Sequence, residues 1–338
     1  MEYPKQVSRS GNPTHFHAVR MLAATTLLWG LSFPIVKSIG LIQEGLLPGI
    51  NSWFHAGLTG FVRFFTAAVI LAFCCLRTLP RLTRTELHLG LGLGFFAAGG
   101  ILFQMDGLSY TDASTSAFLT QSFCVIVPIF VALRDRKAPR WHLVVAILMV
   151  MVGVGILSRF NFETFRFGRG EFETLIAAVF FAGQILWLER PKWAGTDANH
   201  FSVIMFLVMA LISAPIVIFT ARNASDPFIC YANPGVIALN AALIFFCTLG
   251  AFVLMNKWQP HVPATEASII YGAEPVIASI LSLFLPAWIS SWAHIQYKNE
   301  NITWQLLTGG TLIIAANLFL QLIWLTKKPR SAAIRAAG

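Results

Sequence analysis

Phe201-Ser-Val-Ile-Met-Phe-Leu-Val-Met-Ala-Leu-Ile-Ser-Ala-Pro-Ile-Val-Ile-Phe-Thr220 runs for 20 residues without an Asp, Glu, Lys or Arg. As a helix rising 1.5 Å per residue it is ~30 Å long, the depth of a bilayer's hydrocarbon core. Hydrocarbon offers a backbone N–H or C=O no partner, so such a run crosses as a helix that satisfies its own hydrogen bonds. Working outward, further apolar stretches bring the predicted transmembrane helices to ten: Ala18–Ser38, Ala56–Arg77, Glu86–Leu108, Asp112–Leu133, Trp141–Ser158, Gly170–Glu189, Phe201–Thr220, Pro234–Lys257, Pro263–Trp288 and Trp304–Thr326. Short turns rich in charges and turn formers separate most of them, as in Lys257-Trp-Gln-Pro-His261, leaving no room for a soluble domain between spans. The predicted fold class is an all-α integral membrane protein.

Composition agrees with that reading. Of 338 residues, 56% are hydrophobic and 12% charged, with a mean hydropathy of +0.68, which is too little polar surface to cover a soluble globule. The net charge of +9 would point to nucleic acid in a soluble protein; in a membrane protein its placement decides. Ten spans put both chain ends on one side, which carries 17 of the 24 Lys and Arg against 6 on the other, with Arg63 inside a span. The bias predicts cytoplasmic termini and accounts for the basic balance without nucleic acid. The first apolar stretch follows a basic segment, as a secretory signal does, but Trp29, Pro34 and Lys37 interrupt it and no small-residue cleavage site follows. It reads as a retained helix, in a bacterial inner (plasma) membrane. Only Cys230 among the five Cys falls in an outer loop, so no disulfide framework is expected, nor any metal or cofactor.

Five helices per half is an odd number, so the second half enters the membrane upside down relative to the first, the inverted repeat of many transporters. The predicted division is a cytoplasmic tail 1–17, a first five-helix repeat 18–158, an outer linker 159–169, a second repeat 170–326 and a basic tail 327–338. Small or polar residues seven apart flank aliphatic runs in Ala146–Gly153 and in Gly310–Asn317, and Pro128 and Pro275 interrupt the fourth helix of each half. The second half is about 17 residues longer, the excess falling in the outer loop Pro286–Thr303.

Four segments, Leu27-Leu-Trp-Gly-Leu-Ser-Phe-Pro-Ile-Val-Lys37, Arg63-Phe64, Ala117-Phe-Leu-Thr-Gln-Ser-Phe-Cys-Val-Ile-Val-Pro128 and Ala273-Glu-Pro-Val-Ile-Ala278, together resemble the EamA-type branch of the drug/metabolite transporter superfamily, from about Ala18 to Thr326. The resemblance implies two inverted five-helix repeats around a central cavity that works by alternating access, often exporting amino acids or other small metabolites. The sequence departs from the pattern where family members end helix 4, and often helix 9, with Gly-Glu: here stand Leu133-Arg-Asp-Arg-Lys137 and Leu283-Phe-Leu-Pro-Ala287. The outer loops Ile39–His55 and Pro286–Thr303 are also longer than usual.

Candidate site residues follow from depth and spacing. Glu274 lies 11 residues into helix 9, about 16 Å deep and near the midplane. A carboxylate there is expensive and must face a cavity or a partner; it could bind an amine, carry a proton, or as a neutral acid fix two helices together. Pro275, Pro128 and Pro34 lack an N–H, leaving the carbonyls of Tyr271, Cys124 and Gly30 without helical partners, which makes them candidate hinges or packing kinks and makes Tyr271 a candidate lining residue. Gln121 stands seven residues before Pro128 on the same face. Trp29 and Lys37 lie two turns apart on helix 1, Trp29 able to stack on an amine and Lys37 to snorkel. Arg63, about 10 Å deep, suits a structural ion pair or an anionic substrate group. Gln104, Gln184 and Trp187 are further lining candidates. Glu266 suits the first turn of helix 9, and Asp106, at the end of helix 3, is expected to be solvated.

The leading function is a secondary transporter, expected to act as an exporter, of a small metabolite such as an amino acid or amine, with proton coupling through Glu274. Its expected partners are the small-molecule substrate, the lipid bilayer and, in a homodimer, a second copy. An intramembrane enzyme is the alternative, but neither H-E-x-x-H nor G-x-S-x-G occurs. A receptor or scaffold without transport activity would better fit a large ligand domain.

Overall fold

The computed structural model describes residues 13–107, 109–110, 113–157 and 167–326. The predicted tail 327–338, most of tail 1–17 and most of linker 159–169 lie outside the described residues. Among the described residues the chain is helical and contains no strand. The helices are α1 Pro13–Leu46, α2 Ser52–Cys74, α3 Arg84–Gly107, α4 Ala113–Thr120, α5 Phe123–Asp135, α6 Trp141–Leu157, α7 Arg169–Leu188, α8 Ala198–Thr220, α9 Asp226–Tyr231, α10 Pro234–Ala242, α11 Ala251–Trp258, α12 Ala264–Tyr271, α13 Glu274–Leu281, α14 Leu285–Ala293 and α15 Trp304–Thr326. A wider π turn, Leu243–Gly250, joins α10 to α11.

Seven helical segments of the described residues are long and apolar enough to cross a membrane. The segment Ala264–Leu281 with Leu285–Ala293 makes an eighth when counted as one span bent by 57°, while Trp141–Leu157 and Trp304–Leu320 are shorter apolar helices. Large apolar side chains such as Phe65, Phe73, Leu148, Phe219 and Leu318 face outward, as a lipid-facing surface requires.

Local chemistry sets many of the boundaries. The Asn51 side chain caps α2 by accepting from Trp53 N (3.0 Å), and Asp197 caps α8 through Asn199 N (2.8 Å). Ahead of α3, Thr83 and Glu86 exchange side-chain-to-backbone bonds of 2.8 and 3.2 Å in a capping box. Three sequence expectations change. Helix α1 reaches Leu46, not Ser38, so most of the expected outer loop Ile39–His55 is helix. The predicted fourth span breaks at Gln121–Ser122, and the ninth at Gly272–Ala273 and again before Leu285. Pro34 and Pro128 sit inside the continuous helices α1 and α5, so neither marks a break; Pro275 does stand beside one, in the first turn of α13.

The helices pack pairwise: α2 on α8, α3 on α7 and α8, α6 on α15, α5 on α7 and α12, and α1 on α10 to α13. The glycine-rich face of α3 is closely packed: a Cβ at Gly94 would come within 2.8 Å of Met205 O on α8, so only glycine permits that approach. The same holds at Gly30 on α1, where a Cβ would stand 2.5 Å from Ile277 Cγ2. That approach brings Trp29 and Glu274 to one wall.

Candidate functional site

A cavity of about 720 Å³ opens inside the bundle, within the range of small-ligand sites. Helix α1 contributes Trp29, Lys37 and Glu44, α2 contributes His55, Thr59 and Arg63, and α13 contributes Glu274, Ala278 and Ser279 along one face, followed by Ser282. The cavity reaches the membrane face where α1 ends and α2 begins. A second pocket of about 500 Å³ at that mouth shares Ser52 and Ser109 with it and includes Arg169 and Arg222.

At the inner end, Trp29 packs against Tyr271 (ring centroids 5.2 Å) and Phe252 (5.3 Å). Tyr271 donates its hydroxyl to Gln259 Oε1 (3.0 Å), and Gln259 Nε2 donates to Ile185 O (2.9 Å). This chain of bonds and the Phe64, Phe206 and Phe252 rings form the floor. Beyond it the opposite face is tied by His15 to Glu266 (3.1 Å), Glu86 to His200 (3.3 Å) and Arg134 to Glu189 (3.2 Å).

The Glu274 carboxylate has no hydrogen-bonding or ion-pair partner among the described residues. Trp29 Nε1, Gln43 Oε1 and His55 Nδ1 are buried atoms likewise unpartnered among the described residues, and all three residues line the cavity. Buried polar atoms are ordinarily satisfied, so an acceptor carboxylate, an indole donor and an amide acceptor left over in one cavity define a surface that a polar ligand would complete.

Of the residues singled out from sequence, Glu274, Tyr271, Trp29, Arg63, Lys37, Gln104, Gln184 and Pro275 line this cavity. Gln104 Nε2 donates to Thr120 Oγ1 (3.2 Å), and Gln184 Nε2 to Met255 Sδ (3.8 Å). Arg63 differs from its expected ion pair: Nε donates to Thr248 Oγ1 (2.6 Å) and Nη2 to Cys247 O (3.0 Å). The π turn makes this possible, since Thr248 Oγ1 in turn donates to Leu243 O five residues back (2.9 Å). Gln121 and Trp187 are not on the cavity. The break after Thr120 buries Gln121 beside Cys124 and gives the wall to Thr120, while Trp187 donates to Leu89 O (3.3 Å) beneath the Arg190 guanidinium.

Asp106 also corrects the sequence reading. It is fully buried, accepting from Ser52 Oγ (2.5 Å) and Arg169 Nη2 (2.7 Å), and Arg169 Nε also donates to Glu173 (2.7 Å). The acid at the end of α3 thus ties α2 and α7 together at the mouth. Sequence reasoning missed Gln43, Glu44, His55, Phe252, Tyr297 and Glu300 as lining residues; the i, i+4 spacing of Lys37 and Leu41 along α1 is the signal that would have extended that helix. Among the described residues no group of three His, Cys, Asp or Glu converges as a metal site requires.

Comparison with known proteins gives this cavity its context. A chain of known crystal structure aligns with a TM-score of 0.67 at 16% identity, covering 93% of this chain and 99% of its own length, a likeness of fold. An uncharacterized transporter of Archaeoglobus fulgidus is 26% identical over 298 residues, which is 88% of this chain and 86% of that protein. The EamA-like transporter family profile matches residues 50–159 and 168–290, most of the chain. An all-helical bundle with membrane-length spans and a match of that extent lead to one conclusion: the chain is an integral membrane protein of the EamA-like transporter family.

Proposed function

We propose that the protein is a secondary transporter, acting as an exporter, of a small amine-bearing metabolite such as an amino acid, and that the cavity holding Glu274 is its substrate site. The observation that carries this reading is the unpartnered Glu274 carboxylate in a cavity walled by Trp29 and Tyr271. An ammonium group would take the carboxylate as counter-ion and the indole face as a cation–π partner, worth about 0.5–2 kcal/mol. Glu274 also suits proton exchange, since a cavity-facing acid at membrane depth can hold either a substrate ammonium or a proton.

The inverted repeat is proposed on the pairing of helices. Match α1 with α7, α2 with α8, α3 with α10 to α11, α4–α5 with α12–α13, and α6 with α15. The pairs α2–α8 and α6–α15 map onto themselves; α3–α7 maps onto α1–α11, and α5–α7 onto α1–α13. Such an exchange is what alternating access by two inverted halves requires. With ten crossings, the cavity mouth lies on the side poor in Lys and Arg, which we assign to the outside of the plasma membrane.

The test is counterflow in liposomes containing the purified chain, with radiolabelled amino acids, amines, sugars and nucleosides offered under pH or membrane-potential gradients. Saturable movement of an amine-bearing compound is expected. Movement of none of the panel would overturn the reading.

A further inference from the structure

The outer end of the cavity is completed by Tyr297 and Glu300, on a segment that begins in α14 and runs past residue 290, where the family match stops. Helix α14 turns away from α13 by 57°, and its Ile289 is buried with Ile35, Ile39 and Ile42 of α1. Trp288 and Trp292 stay on its exposed side, as aromatic residues do at a membrane interface. His294, in the left-handed conformation (φ 54°), ends α14 and reverses the chain.

The returning strand of chain is held at fixed points. Ser290 Oγ donates to Tyr297 O (2.9 Å) and accepts from Tyr297 N (3.1 Å). Asn299 Oδ1 accepts from Ala287 N (2.8 Å), and Glu300 N donates to Ser282 O (2.8 Å) just past α13. These bonds place Tyr297 and Glu300 on the cavity wall, and the Lys37 ammonium stands 5.0 Å from the Tyr297 ring centroid. Burial and the nearby Glu300 carboxylate push the Tyr297 phenol up to about 12, so it remains a neutral donor.

We propose that this cap forms an outer subsite in which Lys37, Tyr297 and Glu300 receive a zwitterionic end group of the substrate, while its far amine reaches Glu274. The inference rests on the transport reading above and names its substrate class: an elongated amine with an amino-carboxylate end, as in a dibasic amino acid. Lys37 and Glu300 carry opposite charges on one small wall. A lone ammonium there would meet Lys37 and a lone carboxylate would meet Glu300, whereas a zwitterion satisfies both. Glu44 also lines the outer end, but it is engaged by Gly49 N (2.9 Å) and His55 (3.3 Å), and Asp106 and Glu173 at the mouth are held by Arg169. Eight residues of helical rise separate Glu274 from Ser282, about 12 Å. An extended dibasic amino acid with a charged hydrogen bond of about 2.8 Å at each end fits that span.

The experiment is counterflow by the full chain in liposomes with three probes: lysine, 1,5-diaminopentane and alanine. The wild-type chain should prefer lysine to both others. Lys37→Gln removes the carboxylate's partner and should lower the lysine to 1,5-diaminopentane rate ratio at least fivefold. With 6-aminohexanoate, which lacks the α-ammonium, as a fourth probe, Glu300→Gln should lower the lysine to 6-aminohexanoate rate ratio at least tenfold, and Ser290→Ala, which frees the Tyr297 backbone, should shift that ratio the same way. Ratios within twofold of wild type in all three variants, with unfolding midpoints unchanged, would overturn the outer subsite and leave the transport reading standing. A wild-type preference for alanine would do the same. A wild-type chain that moves no amine at all would fail the transport reading itself.

Discussion

Arg63 is buried to 5% exposure and held by a hydroxyl and a carbonyl rather than by an acid. Each hydrogen bond to a charged group contributes about 1.5–3 kcal/mol, and its loss also strands the acceptor. Arg63→Met should therefore lower the thermal unfolding midpoint in detergent, and Arg63→Lys should recover only part of it, because an ammonium cannot reproduce the guanidinium fork. Trp29→Ala should raise the KM for an amine substrate about tenfold by removing the cation–π face, whereas Trp29→Phe retains part of it; equal KM values for all three would show that Trp29 only packs. Glu274 was legible in the sequence because a carboxylate 11 residues into a span cannot be placed in lipid. Glu300 and Asp106 were not. Both lie near predicted span ends, where solvation is the default, and only the tertiary fold brings Arg169 to Asp106 and returns Glu300 to Ser282.

The lengths and breaks of the helices decide which faces meet the cavity. Hydropathy located the long apolar helices and missed the short α9, and it is blind to breaks inside apolar runs, which is why Gln121 stood as a candidate for the wall that Thr120 occupies. It also ended α1 at Ser38, although Gln43 and Glu44 continue the helix because their side chains find partners in Thr59, Gly49 and His55. Helices α6 and α15 meet at a pair of glycines: Gly153 faces Gly309, and a Cβ at Gly153 would stand 2.8 Å from Gly309 O. Gly153→Leu should force α6 and α15 apart and cost about 1–3 kcal/mol, read as a lower unfolding midpoint. Gly45→Ala is the control: nothing lies within 4 Å of its Cβ position, so the midpoint should hold or rise slightly. Equal losses in both variants would contradict the close α6–α15 contact.

For the whole molecule, the proposed topology is ten crossings with the cavity mouth outside, a reading supported by the charge bias and the pairing of helices. Reporter fusions at both ends should show the cytoplasmic enzyme active and the periplasmic one inactive; the reverse pattern would invert the assignment and turn the cavity inward. The class of the protein was legible from its apolar runs, whereas its substrate was not, because the proposed site gathers side chains from α1, α2, α13 and the cap rather than from any contiguous motif. The most direct test of the central claim, that the cavity around Glu274 is the transport site, compares wild type and Glu274→Gln in liposomes, with and without an imposed pH gradient. The account predicts a folded variant with normal unfolding whose amine flux is lost and no longer responds to the gradient. A variant that transports at the wild-type rate with the same gradient dependence would contradict it.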